Sequence, residues 1–234
     1  VVPVVNDNDT VATHEIRFGD NDRLAALVAH LVAADALVLL SDVDGLYSGR
    51  PGRPDARFIA EVTSMADLDG VDVSRAGSHV GSGGMLTKID AAAIATTEGI
   101  PVLLAGTAHV QAAMRGEAGT LFHAAGDRSA SRLFWLRYAT TPRGRLELDA
   151  GAVAAVVQRR MSLLPAGVTA VSGEFYSGEP VELTGPDGAV VARGLVGYDA
   201  ADLPALLGHR TGELPAEFRR EVVHRDDIVL LGGS

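Results

Sequence analysis

Ala36-Leu37-Val38-Leu39-Leu40 is an unbroken apolar run that stops abruptly at Ser41-Asp42. Five apolar residues without alternation read as a strand buried on both faces, the environment of a parallel sheet. Helical periodicity precedes it over Arg23 to Ala33, with Asp20-Asn21-Asp22 as cap-forming residues. A second helical pattern covers Lys88 to Glu98, is closed by Gly99, and leads into a strand from Ile100 to Ala105. Strands alternating with helices in this way imply an α/β domain with a parallel, doubly wound sheet. Val1 to Val5 reads as a further short strand, and Gly49 to Arg57 as a Gly/Pro/Arg loop.

The pattern changes near Phe122 to Arg143. Short β-like runs follow at Gly144 to Leu148, Thr169 to Phe175, Pro180 to Leu183, Ala189 to Val196 and Ile228 to Leu231. Ser177-Gly178 and Pro186-Asp187-Gly188 are turn signals between them, and one helix is expected around Ala150 to Arg160. The expected organisation is an α/β domain over residues 1–125, a connecting segment over 126–142 and a small β-rich domain over 143–234.

Composition excludes several chemistries. The 234 residues contain no cysteine, which removes disulfides, thiolate metal sites and a cysteine nucleophile. The seven histidines lie far apart without metal-ligand spacing and read as structural or surface residues. Serines occur, but no G-x-S-x-G elbow does. No apolar stretch reaches the roughly 18 residues of a membrane span. Leu24 to Leu40 comes nearest and is interrupted by His30 and Asp35. With no signal peptide visible, a soluble cytoplasmic protein is the default expectation. A formal net charge of −10 disfavours non-specific nucleic-acid binding, which needs cationic surface.

The 20 basic residues are nineteen arginines and a single lysine, Lys88. That lysine ends the stretch Gly81-Ser82-Gly83-Gly84-Met85-Leu86-Thr87-Lys88. Three glycines let backbone N–H groups approach phosphate oxygens, and the following helix presents its positive end. A compact ammonium in the first turn adds a full charge where a planar guanidinium is no equivalent. The spacing is not that of a Walker A loop. The plain alternative is a flexible loop whose lysine is solvated. Asn6-Asp7-Asn8-Asp9 and Gly19-Asp20-Asn21-Asp22 could grip a small polar substrate, or could serve only as turns and caps. Neither cluster has EF-hand spacing. Ser41-Asp42 ends a buried strand, where open α/β sheets bind ligands.

Four stretches occur in order: Val4-Val5-Asn6-Asp7-Asn8-Asp9, Phe18-Gly19-Asp20-Asn21-Asp22, Leu39-Leu40-Ser41-Asp42-Val43-Asp44-Gly45-Leu46-Tyr47 and Gly81 to Lys88. Together they resemble the glutamate 5-kinase family of the amino acid kinase superfamily. Asp44-Gly45-Leu46-Tyr47 alone is shared with aspartokinases and uridylate kinases. Ser162 to Val168 and Val223-His224-Arg225-Asp226-Asp227 resemble the PUA domain of many bacterial members. The resemblance implies the C-terminal portion of a parallel-sheet amino acid kinase-like sandwich followed by a small PUA-like barrel. The family's first strand and its first Gly-rich loop would lie upstream of Val1.

By resemblance, Lys88 and Asp22 belong to the catalytic neighbourhood, and Asp9 and Asn21 contact glutamate. Ser41, Asp42, Ser82, Gly83, Gly84, Met85, Leu86, Thr87 and Lys88 hold ATP, and no residue is assigned to a metal. Mg²⁺ would accompany the nucleotide. The implied reaction is ATP-dependent phosphorylation of the γ-carboxylate of L-glutamate, the first step of proline biosynthesis. Proline is the expected feedback inhibitor and a homo-oligomer the expected assembly. A carboxylate nucleophile, with an unperturbed pKa of about 4.3, is ionised at neutral pH and needs no general base. Catalysis then reduces to in-line positioning and neutralisation of phosphoryl charge. The other readings are another superfamily member such as an aspartokinase, or an RNA-binding module carried by the PUA-like domain. Against RNA, residues from Arg143 onward hold nine Arg and thirteen Asp/Glu, a net charge of about −4, with no basic–aromatic stripe.

Overall fold

The computed structural model describes residues 2–6, 21–69 and 84–231. The expectations placed on Asp9, Ser82 and Gly83 lie outside the described residues. The chain divides into two compact units, Val1–Ser129 and Ala130–Ser234.

In the first unit, helix α1 (Asn21–Leu31) leads into strand β1 (Leu37–Ser41). Short strands β2 (Leu46–Tyr47), β3 (Phe58–Ile59) and β4 (Glu61–Val62) follow. Then come α2 (Met85–Thr97), β5 (Val102–Gly106), the single turn α3 (Val110–Ala113) and β6 (Thr120–Phe122). The main sheet has the order β1-β5-β6-β4. β1 and β5 run parallel with Leu37 opposite Val102 and Ser41 opposite Gly106. β4 and β6 are also parallel, but β5 and β6 are antiparallel, so the sheet is mixed. A full crossover helix is needed to bring a strand back parallel. Between β5 and β6 the chain forms only a 3₁₀ turn over Thr107–His109 and the one-turn α3, and the next strand therefore returns antiparallel.

β2 and β3 form a hairpin that Thr120 pins to the sheet. Its fully buried hydroxyl donates to the Ile59 carbonyl at 2.6 Å and accepts from the Leu46 amide at 2.8 Å. The expected loop over Gly49 to Arg57 joins the two strands. α1 and α2 pack on each other, and both carry buried alanines, Ala26 and Ala29 in one and Ala91, Ala92 and Ala95 in the other. Small side chains let two helix backbones approach closely without cavities.

Two expectations about buried strands do not hold. Val38 and Leu40 of β1 are 37% and 45% exposed, so this strand is covered on one face only. Residues 2–6 form no strand, and Val2, Val4 and Val5 are exposed. In both cases the described residues supply no partner layer, and an apolar run without a partner cannot bury itself.

In the second unit, the residues read as a connector hold helix α4 (Ser131–Tyr138). Strand β7 (Gly144–Leu148) follows, then α5 (Ala150–Val153), capped by the Asp149 side chain and continued by a wider π-turn over Ala154–Gln158. β8 (Val168–Gly173), β9 (Pro180–Thr184), β10 (Val190–Val196) and β11 (Val223–Leu230) complete a sheet of order β11-β10-β9-β7-β8. β7 and β9 are parallel and the remaining pairs antiparallel. The ladder stays open among the described residues instead of closing into a full barrel. Leu146, Leu148, Leu163, Leu183, Val196 and Tyr198 are at most 1% exposed and form its core. No helix among the described residues is long and apolar enough to cross a membrane.

Candidate functional site

Chain polarity gathers the polar residues of the first unit at one edge of the sheet. Residues 32–36 alone join α1 to β1, and residues 98–101 join α2 to β5. Links this short make each helix fold back antiparallel to the strand it precedes. Because β1 and β5 are parallel, the first turns of both helices lie beside the C-terminal ends of both strands. Open α/β sheets bind ligands at that edge.

The first turns meet there. Lys88 Nζ lies 2.8 Å from Asp22 Oδ2, and the two side chains are 14% and 16% exposed. Lys88 is thus not the solvated surface lysine of the plain reading. Thr87 Oγ1 lies 2.9 Å from the same Asp22 oxygen and 2.7 Å from the Gly84 carbonyl. A hydroxyl has one proton, so Thr87 donates to one of these acceptors at a time. An ammonium has three, and Asp22 uses one. Gly84, with extended φ −83° and ψ −178°, is the N-cap of α2 and has no side chain to cap it. The amide N–H groups of Met85, Leu86 and Thr87 begin a helix whose dipole favours an anion at this end. Met85 is buried and anchors the turn, while Leu86 is exposed.

At the strand ends, Ser41 is buried, and its hydroxyl donates to Asp42 Oδ1 at 3.1 Å. The neighbouring strand end adds Gly106 and His109, the latter read from the sequence as a structural or surface histidine. His109, just after β5, holds Nε2 3.5 Å from Asp44 Oδ1. A Cβ added to Gly106 would lie 2.8 Å from that same oxygen, so glycine is what lets the Asp44 loop close over the end of β5. Their position is legible in the sequence, since Gly106 ends and His109 follows an apolar strand. On the α1 side, Asn21 and Asn6 line one groove of about 430 Å³ together with Leu24, Val28 and Val38. Asn21 therefore shares a concavity with the first residue of the Asn6 to Asp9 cluster. Among the described residues no group of three or more His, Asp or Glu is placed to hold a metal ion.

Residues 1–106 match the family model described as amino acid kinase family, and residues 144–217 match the PUA domain model. A protein named glutamate 5-kinase from Streptomyces avermitilis is 60% identical over 236 residues, covering 98% of this chain and 63% of that protein. The protein of the same name from Streptomyces coelicolor is 59% identical, again over 98% of this chain and 63% of its own length. The chain therefore spans a little under two thirds of these curated relatives. Among solved structures, carbamate kinase from Giardia lamblia aligns with 45% of this chain and 36% of its own, at 23% identity and a TM-score of 0.38.

Proposed function

We propose that this chain, whose residues 1–106 match the amino acid kinase family model and 144–217 the PUA domain model, is part of an amino acid kinase that phosphorylates L-glutamate. The γ-phosphoryl group of ATP is transferred to the γ-carboxylate, giving L-glutamyl 5-phosphate, the first step of proline biosynthesis. The observation that carries this reading is Lys88, the one lysine of the chain, at the uncapped start of α2 and 2.8 Å from Asp22. The names of relatives about 60% identical supply the substrate.

The chemistry asks little of the protein. A carboxylate oxygen of glutamate attacks the γ-phosphorus, a new O–P bond forms, and the bond to the β-phosphate oxygen breaks to release ADP. No proton has to be abstracted from the nucleophile. The requirements are in-line placement and compensation of charge on the phosphoryl oxygens. In this reading the α2 amides and Lys88 meet the phosphates, with Ser41 and Asp42 bordering the nucleotide. Asn21 and Asp9 face glutamate, and Asp22 holds the Lys88 ammonium in place. The only described carboxylate beside Lys88 is Asp22, already bonded to it, so Mg²⁺ fits as a companion of the nucleotide phosphates. It would add positive charge at the transferring group. Proline as feedback inhibitor, a homo-oligomeric assembly and a cytoplasmic location belong to the same proposal.

The test uses a polypeptide of the relatives' full length. Acyl phosphates react with hydroxylamine, so ATP, Mg²⁺ and glutamate together should yield a hydroxamate, with ADP formed in equal amount. Proline at sub-saturating glutamate should lower the rate. Hydroxamate formation with aspartate in place of glutamate, or ADP release independent of any amino acid, would reject the assignment.

A further inference from the structure

We infer that Glu98, held by Ser129, is a positioning residue for the Lys88–Asp22 pair, acting through the packed helices α1 and α2. The inference rests on the phosphoryl-transfer reading of Lys88 given above.

The two helices are joined at both ends. At their first turns the link is Lys88 to Asp22 at 2.8 Å. At their last turns the His30 ring of α1 packs against Glu98, the C-cap of α2, with Nδ1 3.4 Å from Oε2 and no hydrogen bond between those atoms, and the side chains are 1% and 3% exposed. From Asp22 to His30 is about 12 Å along the axis, and from Lys88 to Glu98 about 15 Å, at 1.5 Å per residue. Packing already gives the two helices a common register, and polar contacts at both ends, a dozen ångströms apart, hold that register against small rotations and slides. The register that brings Asp22 to Lys88 is therefore set partly at the far end.

That far end is itself strapped. The Glu98 oxygen that faces His30 also accepts from the Ser129 amide at 2.8 Å and the Ser129 hydroxyl at 2.7 Å. The Ala125 and Gly126 amides donate to the Thr96 carbonyl at 3.0 and 3.2 Å, and Arg128 Nη2 donates to the Ala34 carbonyl at 2.8 Å. Residues 125–129 thus hold the tails of both helices. Gly99 makes the close approach feasible, with φ +74° and a position where a Cβ would lie 2.9 Å from the Gly126 carbonyl. At Gly126 a Cβ would collide with the Thr97 carbonyl.

A buried carboxylate is a poor device for stability alone. Apolar residues of similar volume often serve as well or better, and the attested use of buried polar links is to specify one register. The cluster also includes no member of the proposed ATP or glutamate contacts, so any effect it has on turnover must travel through the helices.

The experiment measures kcat, KM and melting of the full-length polypeptide carrying Ser129→Ala, Glu98→Gln or Ser129→Thr. Each is made alone and in a Lys88→Ala background. Ser129→Ala and Glu98→Gln should lower kcat by about 2- to 30-fold, the range for residues that couple to a site they do not touch. KM for ATP and glutamate should change little, and Ser129→Thr, which keeps the hydroxyl, should restore kcat. In the Lys88→Ala background the same substitutions should cause no further loss, because the group they position is gone. Equal fold losses in both backgrounds, or a lower melting point with unchanged kcat, would make the cluster merely structural and overturn the inference. If Lys88→Ala alone left kcat unchanged, the site reading itself would fail, and the inference with it.

Discussion

The two ends of the α1–α2 pair each set a carboxylate against a nitrogen base, as a hydrogen-bonded ion pair at the first turns and as a buried contact with a histidine of lowered pKa at the last. At the first turns, Lys88 and Asp22 keep 14% and 16% of their side-chain surface open. At the last turns, His30 and Glu98 keep 1% and 3%. The open end can exchange one partner for another, since an ammonium bonded to one carboxylate still has donors for phosphate oxygens. The closed end cannot, because any change there leaves a buried polar atom without water to replace what it lost. One helix pair thus combines an exchangeable end with an anchored one.

The largest effect that sharpens this contrast is on turnover. Lys88→Ala in the full-length polypeptide should lower kcat by ~10²-fold or more, as expected when one preorganised transition-state charge is removed. A loss below tenfold would place Lys88 outside the chemistry.

The next effect is on stability and belongs to the closed end. Glu98→Ala removes the acceptor of two Ser129 hydrogen bonds. It should cost about 1–3 kcal/mol in denaturant or thermal unfolding. Wild-type stability for that variant would mean the buried end is not an anchor.

A smaller effect appears in pH. Burial holds the His30 pKa below its usual 6.5, Glu98 opposes this and Arg128 adds to it. A histidine whose folded pKa is depressed is neutral in the folded protein over a range where the unfolded chain already binds the proton. Its contribution is therefore fully present above about 6.5 and is lost as pH falls toward the folded pKa. Melting points followed downward from pH 7 should drop, and His30→Gln should flatten that part of the profile. An unchanged slope would show that His30 binds its proton equally in the folded and unfolded chain.

The smallest effect falls outside the helix pair. Asp67 is exposed and accepts from the Thr63 hydroxyl and from the Thr63 and Ser64 amides. The Thr63 hydroxyl bond above all, then the two amides, lowers its pKa. Its contribution is present above the ordinary carboxylate range and is lost as pH falls through the folded pKa. Asp67→Asn should leave kcat unchanged and lower the melting point slightly at neutral pH, with the difference disappearing in acid. A change in kcat would contradict its assignment as a simple cap.

Local pattern carried most of this architecture. α1, α2, β1 and β5 are legible from periodicity, caps and the glycine at 99, because each signal lies within one element. Lys88 stood out through composition, being the one lysine among nineteen arginines. Its pairing with Asp22 was not legible, since that contact spans 66 positions and depends on how two helices dock. The same holds for Glu98 and Ser129, separated by 31 positions, and for Asp44 with His109. The antiparallel return of β6 was missed because it depends on the brevity of α3, and helix length is poorly marked where neither cap nor period is strong. The exposure of Val38 and Leu40 was missed for a different reason: an apolar run reports what a strand can bury, not what lies against it.

The most direct measurement is the turnover of Lys88→Arg in the full-length polypeptide, with its melting profile recorded beside it. Arginine keeps the charge but replaces a compact ammonium with a wide planar group at a site enclosed by Asp22, Thr87 and the start of α2. The predicted result is a folded protein whose kcat stays close to that of Lys88→Ala. Near-wild-type turnover with an unchanged melting profile would contradict the placement of Lys88 at the transferring phosphoryl group.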